Sequence, residues 1–240
     1  MNIIDVNTLY GAGTSSVFRN SADVLEEYLT NNGIGKALTL NVSGVKNNYS
    51  YGNRKTITEL ADSSVLVPVA TVNPKGFFGN VKELTNIKEQ GFKAIKFFPN
   101  MQDWKLDNIV FKEILQFNNN VGLPIIVNTK FFGEITELSY AYEYDYPLIC
   151  SRVSYENCAE FVSFAKKHRN VFVECSYFNS HSVLYKIIEN LGCDRVLFGS
   201  MSMKNLASVA VDYISKADIS DEDKEKIFSG NALRIFGGSL

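Results

Sequence analysis

Histidine is scarce in this sequence of 240 residues, which contains only His168 and His181. A catalytic zinc ion usually takes three protein ligands from imidazole and carboxylate groups, and two distant histidines do not make a histidine-rich centre. Cysteine is also rare, and its four positions form no CxxC pair and no zinc-like spacing. We expect four buried free thiols in a reducing compartment. They are Cys150, Cys158, Cys175 and Cys193.

The chain also lacks a strong net charge and a long apolar run. Its formal charge of -2 gives no reason to expect nucleic acid or an anionic membrane as a partner. The longest apolar run, at 65–72, is shorter than the ~20 residues that a membrane-spanning helix needs. The N-terminus has no positively charged region followed by an apolar segment, so no secretory signal is expected. These absences predict a cytoplasmic protein. The one basic run, KKHR at 166–169, is typical of a solvated helix end.

A recurring pattern of one glycine between a polar segment and an apolar run is the main signal for the fold. Gly33, Gly91, Gly122 and Gly192 each follow a predicted helix end and precede a run rich in Val, Ile or Phe. Such runs without polar alternation are typical of parallel strands that are buried on both faces. The predicted strands are 2–6, 36–41, 65–71, 93–98, 124–128, 147–151, 171–175 and 195–199. The predicted helices between them include 21–32, 79–90, 108–120, 155–168 and 182–191.

Eight strand–helix units in 240 residues predict an α/β fold, a single (β/α)₈ TIM barrel followed by a C-terminal helix. The barrel and this helix are expected to form one domain over residues 1–240. A doubly wound open sheet is the alternative. The polar stretch 43–54 is interpreted as a long loop after the second strand. The tail resembles a helix capped at Ser220, with a break near Gly230. The tyrosines of YAYEYDYP, at 140–147, either pack against the barrel or form a patch for an oligomer contact, and packing is favoured.

Several segments resemble the amidohydrolase-related family, in particular its aminocarboxymuconate-semialdehyde decarboxylase-like branch. IIDVNTLYG (3–11) is similar to the family's first strand, and VPVATVNPKG (67–76) to its third. The stretch from Gly91 to Thr129 follows the family's fourth and fifth strands. CDRVLFGS (193–200) is similar to its eighth strand, and DKEKIFSGNALRIFG (223–237) to its C-terminal helix. The resemblance covers nearly the whole chain and implies the same barrel.

The resemblance also implies where a divalent metal, usually zinc, would be held. The family's ligands are two histidines of strand 1, a histidine that ends strand 5 and an aspartate that ends strand 8. Here these positions hold Asn7, Leu9, Asn128 and Met201. An assisting histidine of strand 6 is replaced by Ser151 or Arg152. An amide oxygen is a poor zinc ligand and a thioether suits softer ions, so we expect no metal and no other cofactor.

Polar residues nevertheless remain at the predicted carboxyl ends of the strands, where barrel enzymes place their sites. Lys96, Asp5 and Glu174 are the candidates for catalysis. The alternative, which is favoured, is that Lys96 pairs with Asp5 or Glu174 as a buried ion pair that fixes the barrel interior. The candidate ligand-binding residues are Asn7, Asn128, Arg152, Ser200, Met201 and His181. Ser200 precedes the eighth helix, whose N-terminal amides would attract an anion. His168 is interpreted as a solvated helix-end residue.

Two functions are therefore expected. The first is an amidohydrolase-like protein that has lost its metal site and its catalysis and that binds a small polar or anionic ligand, or assembles as a homo-oligomer or with an active paralogue. The alternative is a metal-independent hydrolase or lyase that acts on a small carboxylate or lactone, with Lys96, Asp5 and Glu174 in the reaction and Arg152 on a substrate carboxylate.

Overall fold

The computed structural model describes residues 2–12, 19–202, 204–237 and 240. Its strands follow the predicted order, with the third barrel strand divided in two by Val69. The strands are β1 (Ile3–Ala12), β2 (Arg19–Asn20), β3 (Ile34–Asn41), β4 (Leu66–Pro68), β5 (Ala70–Thr71), β6 (Ile95–Phe97), β7 (Ile125–Asn128), β8 (Leu148–Ser151), β9 (Val171–Glu174) and β10 (Val196–Leu197).

Parallel pairing joins these strands into a barrel, and β2 is only an antiparallel extension of β1. β1 pairs with β3, β3 with β4, and β5 through β10 pair successively. The Val69 amide donates to the Thr39 carbonyl over 2.9 Å, which bridges the β4–β5 interruption. The ring closes where Val6 N donates to Phe198 O (3.0 Å) and Met201 N donates to Asn7 O (2.8 Å). The predicted (β/α)₈ barrel is confirmed.

The helices lie between successive strands and after the last one. They are α1 (Ala22–Asn31), α2 (Ser43–Lys46), α3 (Tyr49–Glu59), α4 (Val81–Glu89), α5 (Pro99–Gln102), α6 (Ile109–Asn118), α7 (Glu134–Ala141), α8 (Cys158–Lys167), α9 (His181–Leu191), α10 (Ala207–Ser215), α11 (Asp221–Glu225) and α12 (Asn231–Phe236). No helix in the described ranges is long and apolar enough to cross a membrane.

The buried apolar residues form two clusters, one on the inner face and one on the outer face of the barrel strands. Ile125 and Val127 belong to the cluster that contains most of the buried helix residues, whereas Ile126 between them belongs to the other. Because successive side chains of a strand point to opposite faces, the second cluster fills the barrel interior. Ala232 and Phe236 of α12 belong to this interior cluster, so the C-terminal helix packs against one end of the barrel.

The segment 43–54, predicted as a loop, is instead mostly helical. α2 begins after Val42, and α3 begins after Asn48, whose side chain accepts a hydrogen bond from Tyr51 N over 3.0 Å. The two helices touch through Gly44 and Gly52. The segment contains few apolar side chains because glycine replaces them at the contact, and this hides the helical periodicity.

Other predictions about local structure have mixed outcomes. Ser220 caps α11 by accepting from Asp223 N over 3.1 Å, as expected. The chain does not break at Gly230, because a π-helical turn over 226–230 connects α11 to α12. Tyr142 and Tyr146 are buried and packed, although Tyr140 is 81% exposed. The four cysteines are free and buried.

The contact between Gly44 and Gly52 predicts a sharp effect of a single methyl group. A Cβ added at Gly52 would lie 2.1 Å from Gly44 Cα, so Gly52→Ala forces the two helix backbones apart. We expect the free energy of unfolding to fall by about 1–3 kcal/mol, measured by urea denaturation. Gly230→Ala is the control, because its nearest contact would be 3.7 Å away. Equal stability of the two variants would contradict this packing.

Candidate functional site

The candidate site begins where interior-facing positions change from apolar to polar at the carboxyl ends of the strands. Ile126, Ile149 and Phe172 belong to the interior cluster. The residues two positions further along the same strands are Asn128, Ser151 and Glu174. Lys96 follows Ala94 in the same way. All four polar residues are 2% exposed or less. The strand period of two therefore builds a buried polar layer at the barrel mouth.

The side chain of Asn7 lies at the centre of this layer, between a cation and a carboxylate. Its Oδ1 accepts a hydrogen bond from Lys96 Nζ. Its Nδ2 lies 2.9 Å from Glu174 Oε1, 3.2 Å from Ser151 Oγ and 3.0 Å from Ser176 Oγ. A neutral amide thus connects the charges of Lys96 and Glu174.

Glu174 is held by several donors. Oε1 accepts from Ser151 Oγ (2.7 Å) and Ser176 Oγ (2.9 Å), and Oε2 accepts from Ser176 N (2.8 Å). Gly199 leaves the space for this carboxylate, because a Cβ there would lie 2.1 Å from Oε2. Hydrogen bonds from this many donors fix the buried carboxylate in position.

Asp5 forms a second buried group that joins the first and last barrel strands. Its Oδ1 accepts from Asn7 N (2.9 Å) and Ser200 N (3.1 Å), and its Oδ2 accepts from the Ser200 hydroxyl. Ser200 Oγ also lies 2.6 Å from Ser202 Oγ. Burial raises the pKa of Asp5 to about 7, although the hydrogen bonds from Ser200 oppose this change.

Lys96 is the buried cation of the layer. Burial lowers its pKa to about 8, and the charges of Glu174 and Asp5 only partly oppose this. The Nζ atom also lies 5.3 Å from the centre of the Phe98 ring. The pKa values of Lys96 and Asp5 are thus both shifted towards neutral pH, and such shifts are found in functional sites as well as in structural networks.

Several buried polar atoms of the described residues have no hydrogen-bond partner, and the mouth contains some of them. Asn128 Oδ1 and Arg152 Nε are both buried, and they belong to neighbouring strand ends. Arg152 has a left-handed backbone conformation (φ 69°), which is uncommon for a residue with a side chain. Its guanidinium carbon lies 4.5 Å from the centre of the Tyr177 ring, and Lys204 Nζ lies 2.7 Å from the Tyr177 hydroxyl. The mouth thus carries two further cations.

The structure brings together most of the polar residues that the sequence singled out, but not all of them. Asp5, Asn7, Lys96, Glu174 and Ser200 form one network, and Ser151 rather than Arg152 enters it with its side chain. The helix after Ser200 begins only at Ala207, so Ser200 does not lie at its N-terminus, and the anion site expected there stays a prediction.

Five of the described positions have no side chain in this network, namely Asn128, Arg152, His181, Met201 and Leu9. His181 lies at the start of α9, where Nε2 is 2.9 Å from Tyr213 O and the ring stacks on Tyr213. Met201 and Leu9 are buried among the apolar interior residues. Outside the mouth, His168 ends α8 against Phe164, as a helix-end residue.

Tyr177, Lys204 and Gly199 have roles that the sequence did not reveal. Gly199 stands between Phe198 and Ser200, and a glycine directly after a buried strand is a signal for close approach of another group. Tyr177 and Lys204 carry no such signal, because their contact joins loops 27 residues apart. Among the described residues, no group of three or more His, Cys, Asp or Glu side chains is arranged to hold a metal ion.

Comparison with known proteins places this site in context. A family model described as Amidohydrolase matches residues 53–238. A search of curated proteins finds no match. Among solved structures, 5-carboxyvanillate decarboxylase from Sphingomonas paucimobilis is similar with a TM-score of 0.78 at 14% identity, over 98% of both chains. The 2,6-dihydroxybenzoate decarboxylase from Rhizobium has a TM-score of 0.77 at 11% identity, over 98% of both chains.

A third similar structure is a probable 2-pyrone-4,6-dicarboxylic acid hydrolase from Acinetobacter baumannii with citric acid bound. Its TM-score is 0.77 at 13% identity, and the match covers 99% of this chain and 100% of that one. At these identities the likeness shows the TIM-barrel fold alone.

The raised pKa of Asp5 predicts a pH dependence of stability. Between its ordinary value of 3.8 and about 7, the folded protein keeps a proton that the unfolded chain releases. The free energy of unfolding therefore falls as pH rises through this range, and the loss is complete above pH 7. We expect Asp5→Asn to flatten this part of the profile, measured by urea denaturation at a series of pH values. Asp62→Asn, at an exposed residue, is the control. Parallel profiles for Asp5→Asn and the unaltered protein would contradict the shift.

Proposed function

The chain belongs to the amidohydrolase family, and on that premise we propose that its barrel mouth binds a small polar or anionic ligand without a divalent metal. The observation that carries this proposal is the hydrogen bond from Lys96 Nζ to Asn7 Oδ1. It puts a fixed ammonium group beside the strand 1 position where the family resemblance implies a metal ligand.

The residues at the four implied ligand positions do not fit a divalent ion. The Oδ1 atom of Asn7 already accepts from a cation, and its Nδ2 faces Glu174 and two serines as a donor. Leu9 and Met201 are buried with apolar neighbours. Asn128 supplies at most a neutral amide oxygen, which hard divalent ions accept only together with charged ligands. We infer that this chain has lost the metal site of its family.

The buried atoms at the mouth that lack a hydrogen-bond partner favour a bound ligand over a purely structural role of the polar layer. A buried acceptor without a donor, such as Asn128 Oδ1, costs about 1–3 kcal/mol, and a ligand that donates to it removes this cost. Arg152 and Lys204 add positive charge above the buried layer, and guanidinium groups bind carboxylates well. A small carboxylate with a hydrogen-bond donor fits this combination. Such a chain would also serve as the non-catalytic subunit in a complex with an active paralogue.

Native mass spectrometry of the protein as purified, without added metal or chelator, tests the first part of the proposal. We expect the mass of the polypeptide without a stoichiometric divalent ion, because its implied ligands are amide, alkyl and thioether groups. A retained divalent ion in every molecule would overturn the proposed metal loss. If an ion is retained and the Asn7→Ala variant binds as much of it as the unaltered protein does, the ion lies elsewhere in the chain.

Calorimetric titration with citrate as a probe carboxylate tests the binding itself. We expect Arg152→Gln to weaken citrate binding about tenfold, because one charge-assisted hydrogen-bonding group is lost. Lys82→Gln, which removes an exposed positive charge on α4, is the matched control and should bind as the unaltered protein does. Equal affinities of all three proteins would contradict a carboxylate site at the mouth.

A second candidate function is that of a metal-independent enzyme, either a hydrolase or a lyase, that acts on a small carboxylate or lactone. The lowered pKa of Lys96, about 8, favours it, because a partly neutral amine serves as a base or a nucleophile. Glu174 and Asp5 would then balance the charge that Lys96 gains or loses, and Arg152 would hold a substrate carboxylate.

The two functions differ in what Lys96→Met does. For catalysis, hydrolysis of a simple lactone such as dihydrocoumarin should persist in chelator, increase as pH rises through about 8, and disappear in Lys96→Met while circular dichroism stays native. For binding alone, no turnover is expected in any variant. Loss of the cation then leaves Asn7 Oδ1 and two carboxylates uncompensated, which should lower stability by about 3–5 kcal/mol. Lys82→Met is the control in both assays, and turnover that it shares with Lys96→Met would exclude Lys96 as the base.

A further inference from the structure

A second cleft lies away from the mouth, between the end of α8, the segment before β8 and the C-terminal helix α12. It has a volume of about 520 Å³. Phe172 and α12 belong to the interior cluster at the barrel end that α12 covers, so this cleft is separate from the polar layer around Asn7. Its wall combines apolar surface with positive charge, and includes Tyr144, Pro147, Ile235, Phe172, Arg169 and Arg234.

Three arginines from distant parts of the sequence meet beside this cleft. The guanidinium carbons of Arg195 and Arg234 lie 5.7 Å and 5.5 Å from the centre of the same Phe172 ring. Burial lowers the pKa of Arg195, and the charges of Arg234 and Arg169 lower it further against the opposing charge of Asp194, so Arg195 lies in a predominantly positive environment. Several positive charges close together are unfavourable unless an anion offsets them.

The structure holds Arg195 and Arg234 with neutral carbonyl groups rather than with carboxylates. Arg195 Nη1 donates to His168 O (3.0 Å) and Val171 O (2.6 Å), and Arg234 Nη2 donates to Asp194 O (2.6 Å). In the part of the chain that the structure describes, no carboxylate oxygen lies within 4.0 Å of the three guanidinium groups. Glu143 and Asp145 also line the cleft, and Lys167 adds a fourth positive charge.

From this geometry we propose that the cleft is a binding site for a phosphate-bearing small molecule. Its phosphate group binds Arg169 and Arg234, which line the cleft, because planar guanidinium groups bind phosphate oxygens in pairs. Arg195 adds a third positive charge nearby. The Phe172 ring and the backbone carbonyl groups fix Arg195 and Arg234 before the ligand arrives, so less conformational entropy is lost on binding. The organic part of the ligand lies against Tyr144, Pro147 and Ile235.

This site gives the KKHR run a second role besides its position at a helix end. Lys166 and Lys167 are in the last turn of α8, as the sequence predicted. Arg169 follows the helix and brings its charge to the two arginines from the turn before β10 and from α12. The site does not depend on the function proposed for the mouth.

Calorimetric titration of the full chain with inorganic pyrophosphate tests the site, at low and at moderate salt. We expect one bound pyrophosphate per chain, with affinity about tenfold weaker in Arg169→Gln and again in Arg234→Gln. Both side chains are exposed, so these variants should fold normally, and their thermal unfolding is recorded as a check. Lys82→Gln, with the same loss of charge on α4, should bind as the unaltered protein does.

Three results would overturn the proposal. These are no binding of pyrophosphate at either salt concentration, unchanged affinity in both arginine variants, and an equal loss in Lys82→Gln, which would mean non-specific attraction to net charge. Loss of pyrophosphate binding in Arg152→Gln but not in Arg169→Gln would show that the anion binds at the barrel mouth. That result would overturn the cleft site and leave the function proposed for the mouth intact.

Discussion

The neutral amide of Asn7 is the group on which the buried polar layer depends. Lys96 and Glu174 are both charged groups removed from water, and burying either without a partner is costly. The Asn7 side chain accepts from Lys96 with one atom and donates to Glu174 with the other, so each charge has a fixed dipole facing it. An aspartate here would repel Glu174, and an alkyl group would satisfy neither charge. The amide is therefore the residue type that this environment requires.

The same residue helps to close the barrel, which links the fold to the site. Asn7 O accepts from Met201 N, and Asn7 N donates to the carboxylate of Asp5, which in turn binds Ser200. The pairing of β1 with β3 shifts register between Asp5 and Thr8. Such an irregularity turns side chains from one face of a strand to another. Closure of the ring and assembly of the polar layer thus use one irregular segment of β1, and a change in either affects both.

The sequence was sufficient for most of the fold because its strongest signals are local. Gly33, Gly91, Gly122 and Gly192 all have positive φ, as a glycine between a helix and a buried strand predicts. The helices over 43–59 were missed because Gly44 and Gly52 stand where apolar side chains would have shown the period. For the site, strand ends predicted which polar residues gather, but not their partners. Tyr177 with Lys204, and Arg169 with Arg195 and Arg234, meet only through the folded chain, and no sequence spacing encodes those contacts.

The degree of hydrogen bonding distinguishes the parts of the mouth that support structure from those that face a ligand. Glu174 and Asp5 each accept several hydrogen bonds, so a substrate would have to displace internal donors to reach them. Asn128 Oδ1 and Arg152 Nε have no such partners to lose among the residues that the structure describes. A ligand that binds these two atoms gains their hydrogen bonds without breaking the network, whereas one that reacts with Lys96 must first separate it from Asn7. Binding at the edge of the layer therefore costs less than displacement of Lys96 from its centre, and this difference is the physical basis of the ligand site proposed there.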